Sequence, residues 1–443
     1  MKMLKNILKL TAIWMAATVS FTACEVDTTT VMFEEDHDFS QPGDTVFSML
    51  GILDKVQDVV EKGVLLGELR GDLVKPDPFV GTSSAWVDLT RFENLENATF
   101  NRYRDYYAIV NNCNFYLERA DAEMERRGQK VFLKEYAAVS AYRAWAYLQL
   151  ALLYGEVPFY TQPLLSYSEI EQVMNDPSKR KGLGEICSYF IDDLLPYVDV
   201  PFPNYGNFTY DQSSSVNSSD FFLPIRLLRG DLYLWRGSLD GNKSDFAKAA
   251  QEYRDYLLSE KRFVSPDVKV AYRTVDMDGA QIVDRWSSVF LGNNYNESIS
   301  LVPFAGNSQY GKLGSLRQSF RSFMGSDALQ KLVDESYYCY VMYTEESESG
   351  ESEYMSRFTG LAKDTLYYGT KENPQYYSYI TVPGTPQYFM GDLRFNRDYQ
   401  EGYGLSINKY SSSWPHVTTY RTGAVYLRLA EALSLIHISE PTR

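Results

Sequence analysis

The sequence predicts a mostly α-helical protein, a tetratricopeptide-type helical-repeat scaffold joined to a long irregular, loop-rich region. Three observations carry that expectation. Residues 131–154 place Phe132, Tyr136, Val139, Ala146, Leu150 and Leu153 on one helical stripe. Residues 221–261 read as two paired helices around a short polar turn. From about residue 262 to 422 the helical stripes shorten, and Gly, Pro, Ser, Asn and Tyr interleave.

Taken in order, the first 23 residues read as an export signal. Lys2, Lys5 and Lys9 form a basic start, and the apolar run Leu10–Ala17 is too short to span ~30 Å of hydrocarbon as a helix. Removing residues 1–23 takes the formal charge from −15 to −18. From Glu25 to about Asp44 the composition is acidic and Thr-rich, which suits a tether, and helical periodicity then begins.

Tyr103, Tyr106, Tyr107, Val110 and Leu117 fall at helical spacings, interrupted by Asn111-Asn112. Gly155 stops the 131–154 helix, and Pro158 prevents its resumption. A third helical stretch covers about 183–197. The predicted pair is 221–237 and 245–261, with Ala247, Ala249 and Ala250 allowing close approach. Its spacing departs from the ~34-residue tetratricopeptide period. In the irregular part, Glu345–Glu353 reads as an exposed acidic loop, and helix returns over 424–436.

Composition narrows the function classes. Hydrophobic residues at 44% and charged residues at 23% describe a folded globular chain. A net charge of −15 disfavours a nucleic-acid partner. Only 3 His argue against a multi-histidine metal site, and no cofactor is expected. Asp276-Met277-Asp278-Gly279 has part of a calcium loop but lacks the distal ligands, and reads better as a surface turn. Of the thiols beyond Cys24, Cys113, Cys187 and Cys339 are odd in number, so at least one is unpaired.

HExxH, GxSxG, P-loop and GxGxxG motifs are all missing, which points to a binder rather than an enzyme. A pair of carboxylates suited to glycoside hydrolysis is not picked out by any spacing among the 58 acidic residues. With 36 Tyr, 24 Phe and 6 Trp, the chain is rich in rings that can pack a core with wet edges or stack on a ligand.

Several blocks together resemble one family. Phe21-Thr22-Ala23-Cys24 resembles a bacterial lipobox with Phe21 in place of the usual leucine, and the acids Glu25 and Asp27 follow it. Gly67–Asp72 and Tyr103–Asn114 are similar to early family segments. Ala141–Pro158 matches the pattern R-A-x-x-Y-x-x-L-x-x-x-Y-G-x-V-P almost residue for residue. Leu227–Trp235, Asn296–Ile299, Gly391–Arg394 and Tyr426–Ala432 are similar to later blocks.

On these residues the chain resembles the SusD/RagB-like nutrient-uptake lipoproteins of Bacteroidetes. The resemblance implies a SusD-like fold over 24–443, lipidation at Cys24, and a surface-exposed place on the outer membrane. It also implies an oligosaccharide ligand and a TonB-dependent SusC-like transporter as partner. A peptide cargo, a surface glycoside hydrolase and a structural adhesin are the alternatives. The closing residues 435–443 look like translated adapter sequence, which predicts a chain cut short after about Ser434; a genuine short member is the other reading.

The ligand candidates implied by the resemblance are Asp72, Trp86, Arg91, Asn94, Trp286, Tyr295, Tyr310 and Arg317. Ring faces would stack on a pyranose, while Arg, Asn and Asp would hydrogen-bond its hydroxyls. Trp86 reads as a loop residue, in a segment where no helix stripe needs an indole. Arg70 and Asp72 have a second reading as a structural ion pair.

Overall fold

The computed structural model of the chain describes residues 39, 42–77, 84–93, 103–262, 297–329, 410 and 415–437, and the backbone of strands 273–275, 282–284, 338–346, 352–361, 369–370, 373–374, 387–389, 395–397 and 405–407. Helix α1 spans Pro42–Leu69. It buries Met49, Ile52, Val56, Val59 and Leu66, a spacing that keeps one face on the core. Strand β1 (Val74–Pro76) and helix α2 (Ser84–Arg91) follow.

Helix α3 (Tyr103–Arg119) runs straight through Asn111-Asn112, where the sequence suggested an interruption. Asn111 fits the helix because its amide satisfies another segment. Asn111 Nδ2 donates to Leu164 O at 3.0 Å, and Leu164 N donates back to Asn111 Oδ1 at 2.8 Å. Buried Asn114 donates to Gln162 O at 3.2 Å and accepts from Arg143 Nη1 at 3.2 Å. A buried amide bonded on both ends avoids the ~1–3 kcal/mol cost of an unsatisfied polar group.

Helix α4 (Leu133–Tyr154) is buried around most of its circumference. Its alanines at 137, 138, 141, 144 and 146 admit neighbours on several sides. Gly155 ends it at φ 77°, its N–H closing on Ala151 O, and a left-handed residue of this kind favours glycine. Helix α5 is Tyr167–Asn175 and begins with a Ser166–Glu169 capping box. Helix α6 (Leu183–Asp193) stops four residues short of the expected end, and Leu195–Tyr197 forms a separate 3₁₀ turn around Pro196.

The helix pair is α7 (Ile225–Asp240) and α8 (Lys243–Ser259). Pro224, which lacks an N–H, sets the start of α7 later than residue 221. The connection is shorter than expected: Gly241 in the left-handed region, then Asn242 accepting from Ser244 N and Asp245 N. Close approach comes from α7, whose Gly230 lies against Tyr253 so closely that a Cβ there would sit 2.5 Å from the ring. Gly237 faces Phe246 in the same way, at 2.9 Å. Ala249 and Ala250 are buried in the pair, whereas Ala247 is exposed.

The stretch expected to be loops also carries strands. Strand β2 (Ser298–Val302) lies beside a later antiparallel partner, Val417–Arg421. Strand β3 (Phe323–Gly325) pairs with β1, Val74 opposite Gly325. Tyr338–Glu346 and Ser352–Leu361 form a long antiparallel hairpin in which Glu345 opposes Glu353. The ends of the acidic Ser-rich run are therefore strand. Runs such as Tyr340-Val341-Met342-Tyr343 favour a pleated surface over a loop. After Val417–Arg421, helix α9 (Thr422–His437) packs along α8 and leaves Leu427 and Leu433 exposed. One large core cluster joins α1, α3, α4, α6, α7, α8 and α9.

Candidate functional site

Two of the described ligand candidates, Asp72 and Trp86, and the short helix that carries Arg317 fall where the chain's early and late parts meet. Through the β1–β3 pairing, residues 72–77 lie against 322–327. Ser326 N donates to Leu73 O at 3.0 Å, its hydroxyl donates to Asp72 O, and Lys75 Nζ pairs with Asp327 at 2.6 Å. Upstream, buried Glu61 accepts from Ser315 N, Ser315 Oγ and Leu316 N at 2.7, 2.6 and 2.9 Å. The short helix Leu316–Phe320 is thus held on α1 through its own first N–H groups. Lys312 Nζ donates to Asp58 on α1.

Asp72 is exposed in the turn between α1 and β1. Arg70 is also exposed there, and among the described residues no ion pair joins the two. Trp86 corrects the sequence reading: it lies on α2 rather than in a loop, and is half-buried. Its indole meets Phe323 edge-on at 6.4 Å and 89°, in a small cluster with Leu66, Leu69, Val74, Leu89 and Leu153. Edge-to-face packing uses the ring as core.

Arg91 is exposed in the last turn of α2. Phe92 follows at φ 57°, exposed and in the left-handed region. Arg317 is exposed on the short helix that precedes Phe323. Tyr310 is half-buried in the turn begun by Asn307, and this turn is anchored elsewhere, by Gly306 N donating to Tyr210 O at 2.8 Å. The structure therefore brings Asp72, Trp86 and the Arg317 helix into one region and ties Tyr310 to a different neighbour. Cys24, Asn94, Trp286 and Tyr295 lie outside the described residues, as does the Asp276–Gly279 segment.

Among the exposed aromatic residues that the sequence reading assigned no binding role are Tyr103 at the start of α3, Tyr154 at the end of α4, Tyr167 and Trp235. A cleft of about 380 Å³ lies between the start of α4, the 198–202 loop, the start of α7 and the end of α8. None of the sequence candidates lines it. Arg226 on its wall is already paired with Asp199 at 2.7 Å and Glu252 at 3.3 Å.

The buried acids are engaged in holding the fold. Asp231 accepts from Tyr253 and Tyr420, Asp245 pairs with Arg236, Glu252 with Arg229, and Glu297 with Arg421. His416 accepts from Phe304 N through Nδ1 at 2.9 Å, and burial lowers its pKa to about 4. Burial also raises the thiols of Cys113 and Cys187 to about 12, which keeps both protonated and unreactive. Among the described residues, no group of three or more His, Cys, Asp or Glu could hold a metal, and no helix is long and apolar enough to cross a membrane.

No family model matches the sequence, and no curated protein matches it either. Solved structures do resemble the fold. A SusD superfamily protein from Bacteroides thetaiotaomicron VPI-5482 matches at TM-score 0.53 and 13% identity, over 89% of this chain and 76% of that one. A SusD homolog from the same bacterium also gives 0.53, at 14% identity, over 89% and 77%. B. fragilis NanU matches at 0.49 and 15% identity, over 89% and 74%. The mostly helical chain has the SusD superfamily fold.

Proposed function

We propose that this protein is a SusD-like surface lipoprotein that captures oligosaccharides outside the cell and delivers them to a TonB-dependent SusC-like outer-membrane transporter. The observation that carries the reading is the fold, which matches two SusD structures at a TM-score of 0.53 across most of the chain. The sequence adds independent support. Cys24 follows small residues at the end of a short apolar run, the arrangement for acylation. Acyl chains contribute about 0.8 kcal/mol per buried CH₂, so two or more hold a protein on a bilayer without a spanning helix. The described buried acids serve packing, which suits binding better than acid–base catalysis.

The reading is tested by expressing the full chain with its leader in a Bacteroidetes host and purifying it in mild detergent. Co-purification of an outer-membrane barrel, together with binding to at least one member of an oligosaccharide panel, is expected. Isolation as a solitary species that binds no glycan, or release of reducing ends from the panel, would contradict it.

A further inference from the structure

The cleft of about 380 Å³ between α4, α7, α8 and the 198–202 loop lies apart from the ligand candidates, and its lining has a definite chemistry. Most of that lining is apolar. Ala137 and Ala138 of α4, Ile225 of α7 and Tyr256 of α8 are buried there, and Phe202 of the loop is half-buried.

Four charged side chains complete the lining, two of each sign: Lys134, Arg226, Asp199 and Glu260. Arg226 and Asp199 pair with each other at 2.7 Å, and Arg226 also meets Glu252 at 3.3 Å. Lys134, in the first turn of α4, and Glu260, just past the end of α8, are both exposed. Among the described residues neither side chain makes an ion pair or a hydrogen bond. The cleft therefore keeps one spare charge of each sign.

The backbone adds the same polarity. Helix α7 starts at the cleft with no capping side chain and no acid in its first turn. Helix α8 ends there with no base in its last turn. Lys261 and Arg262 follow α8, but neither lines the cleft. A helix start favours a carboxylate, and a helix end favours an ammonium group.

A ligand that answers these features has an apolar body and one charge of each sign. A polyanion or a polycation would leave one spare charge facing its own sign. The volume falls near the small end of the ~300–1,000 Å³ range of small-molecule pockets, which suits one or two amino-acid residues.

We infer that the cleft is a binding site for a small apolar zwitterion, the chemistry shared by a free apolar amino acid and a short peptide with free ends. The inference does not depend on glycan capture, because the cleft and the ligand candidates share no residue.

The test is titration calorimetry of the intact mature chain with four probes: leucine, phenylalanine, the dipeptide leucyl-phenylalanine, and the same dipeptide acetylated and amidated at its ends. Wild type is expected to bind at least one free-ended probe and the capped dipeptide about tenfold more weakly or less. Lys134→Glu and Glu260→Lys are each expected to weaken the free-ended probe by about threefold or more. Tighter binding of the dipeptide than of either amino acid would make a peptide the source of the zwitterion, and the reverse would make it a free amino acid. Thermal melting checks that both variants keep the fold, and the capped dipeptide needs no variant at all. No binding of any free-ended probe would overturn the inference. So would equal binding of the capped dipeptide, or charge reversals that leave the affinity unchanged.

Discussion

Arg428 on α9 donates through Nη1 to both carboxylate oxygens of Asp231 on α7, at 2.8 Å each. The same carboxylate accepts from Tyr253 of α8 at 2.6 Å and from Tyr420 of the Val417–Arg421 strand at 2.7 Å. One buried acid thus joins the helix pair to the last strand and the last helix. Burial and the neighbouring Asp231 charge together hold both phenols well above their ordinary pKa.

Removing that acid leaves two buried phenols and a guanidinium without their acceptor. Asp231→Ala is expected to cost about 3 kcal/mol, and Arg428→Met less, because Arg428 keeps partial access to water. Urea unfolding of the purified chain measures both. Equal stability for wild type and Asp231→Ala would show that the network contributes nothing net.

The α7–α8 crossing is tight at two glycines, so added methyl groups should be felt. Gly230→Ala is expected to destabilise by about 1–3 kcal/mol, through the clash with Tyr253. Ala247→Ser, at an exposed position of the same pair, should stay within about 0.5 kcal/mol. Comparing the two melting curves separates packing at the crossing from helix propensity.

His416 links stability to acid. Its folded pKa of about 4 lies below the ordinary 6.5, so the unfolded chain takes up the proton first as pH falls. Its contribution is present above about pH 6.5 and is lost between there and pH 4, up to about 3 kcal/mol. Only 3 His are present, so the imidazole signal can be followed by NMR. A His416 resonance titrating near pH 6.5 in the folded protein would contradict the burial.

Cys113 and Cys187 should resist alkylation. At pH 8 iodoacetamide is expected to leave both unmodified in the native chain and to label both in denaturant, as read by peptide mass spectrometry. Rapid native labelling of either thiol would place it at the surface.

The helical frame was legible in the sequence because its periodicity was strong. Gly155 ended α4 where expected, and the α7–α8 pair was found with its polar turn. Its limits were misjudged where one residue's chemistry decides: Pro224 delays α7, and Asn111 stays helical because its amide bonds Leu164. Most strands in the second half were missed because runs of two to five residues are too short to show a period, and the longer Tyr338–Glu346 and Ser352–Leu361 lack a strict alternation of apolar and polar residues.

The site was less legible. Several residues of the resembling blocks, among them Asn114, Arg143, Asp231 and Glu297, hold elements together, so the motifs report the fold more than the ligand. Trp86 carried the composition of a ligand residue but is partly spent on Phe323. Tyr103 fell at a helical spacing and Tyr154 was given no role of its own, and both are exposed at the ends of their helices.

Capture of sugar at the cell surface is the claim on which the functional account turns. Intact cells expressing the full chain should retain a fluorescent derivative of its bound oligosaccharide, and Cys24→Ser should release both protein and retained sugar into the medium. Cells that retain no more sugar than those lacking the chain, with the protein found inside them, would contradict the account.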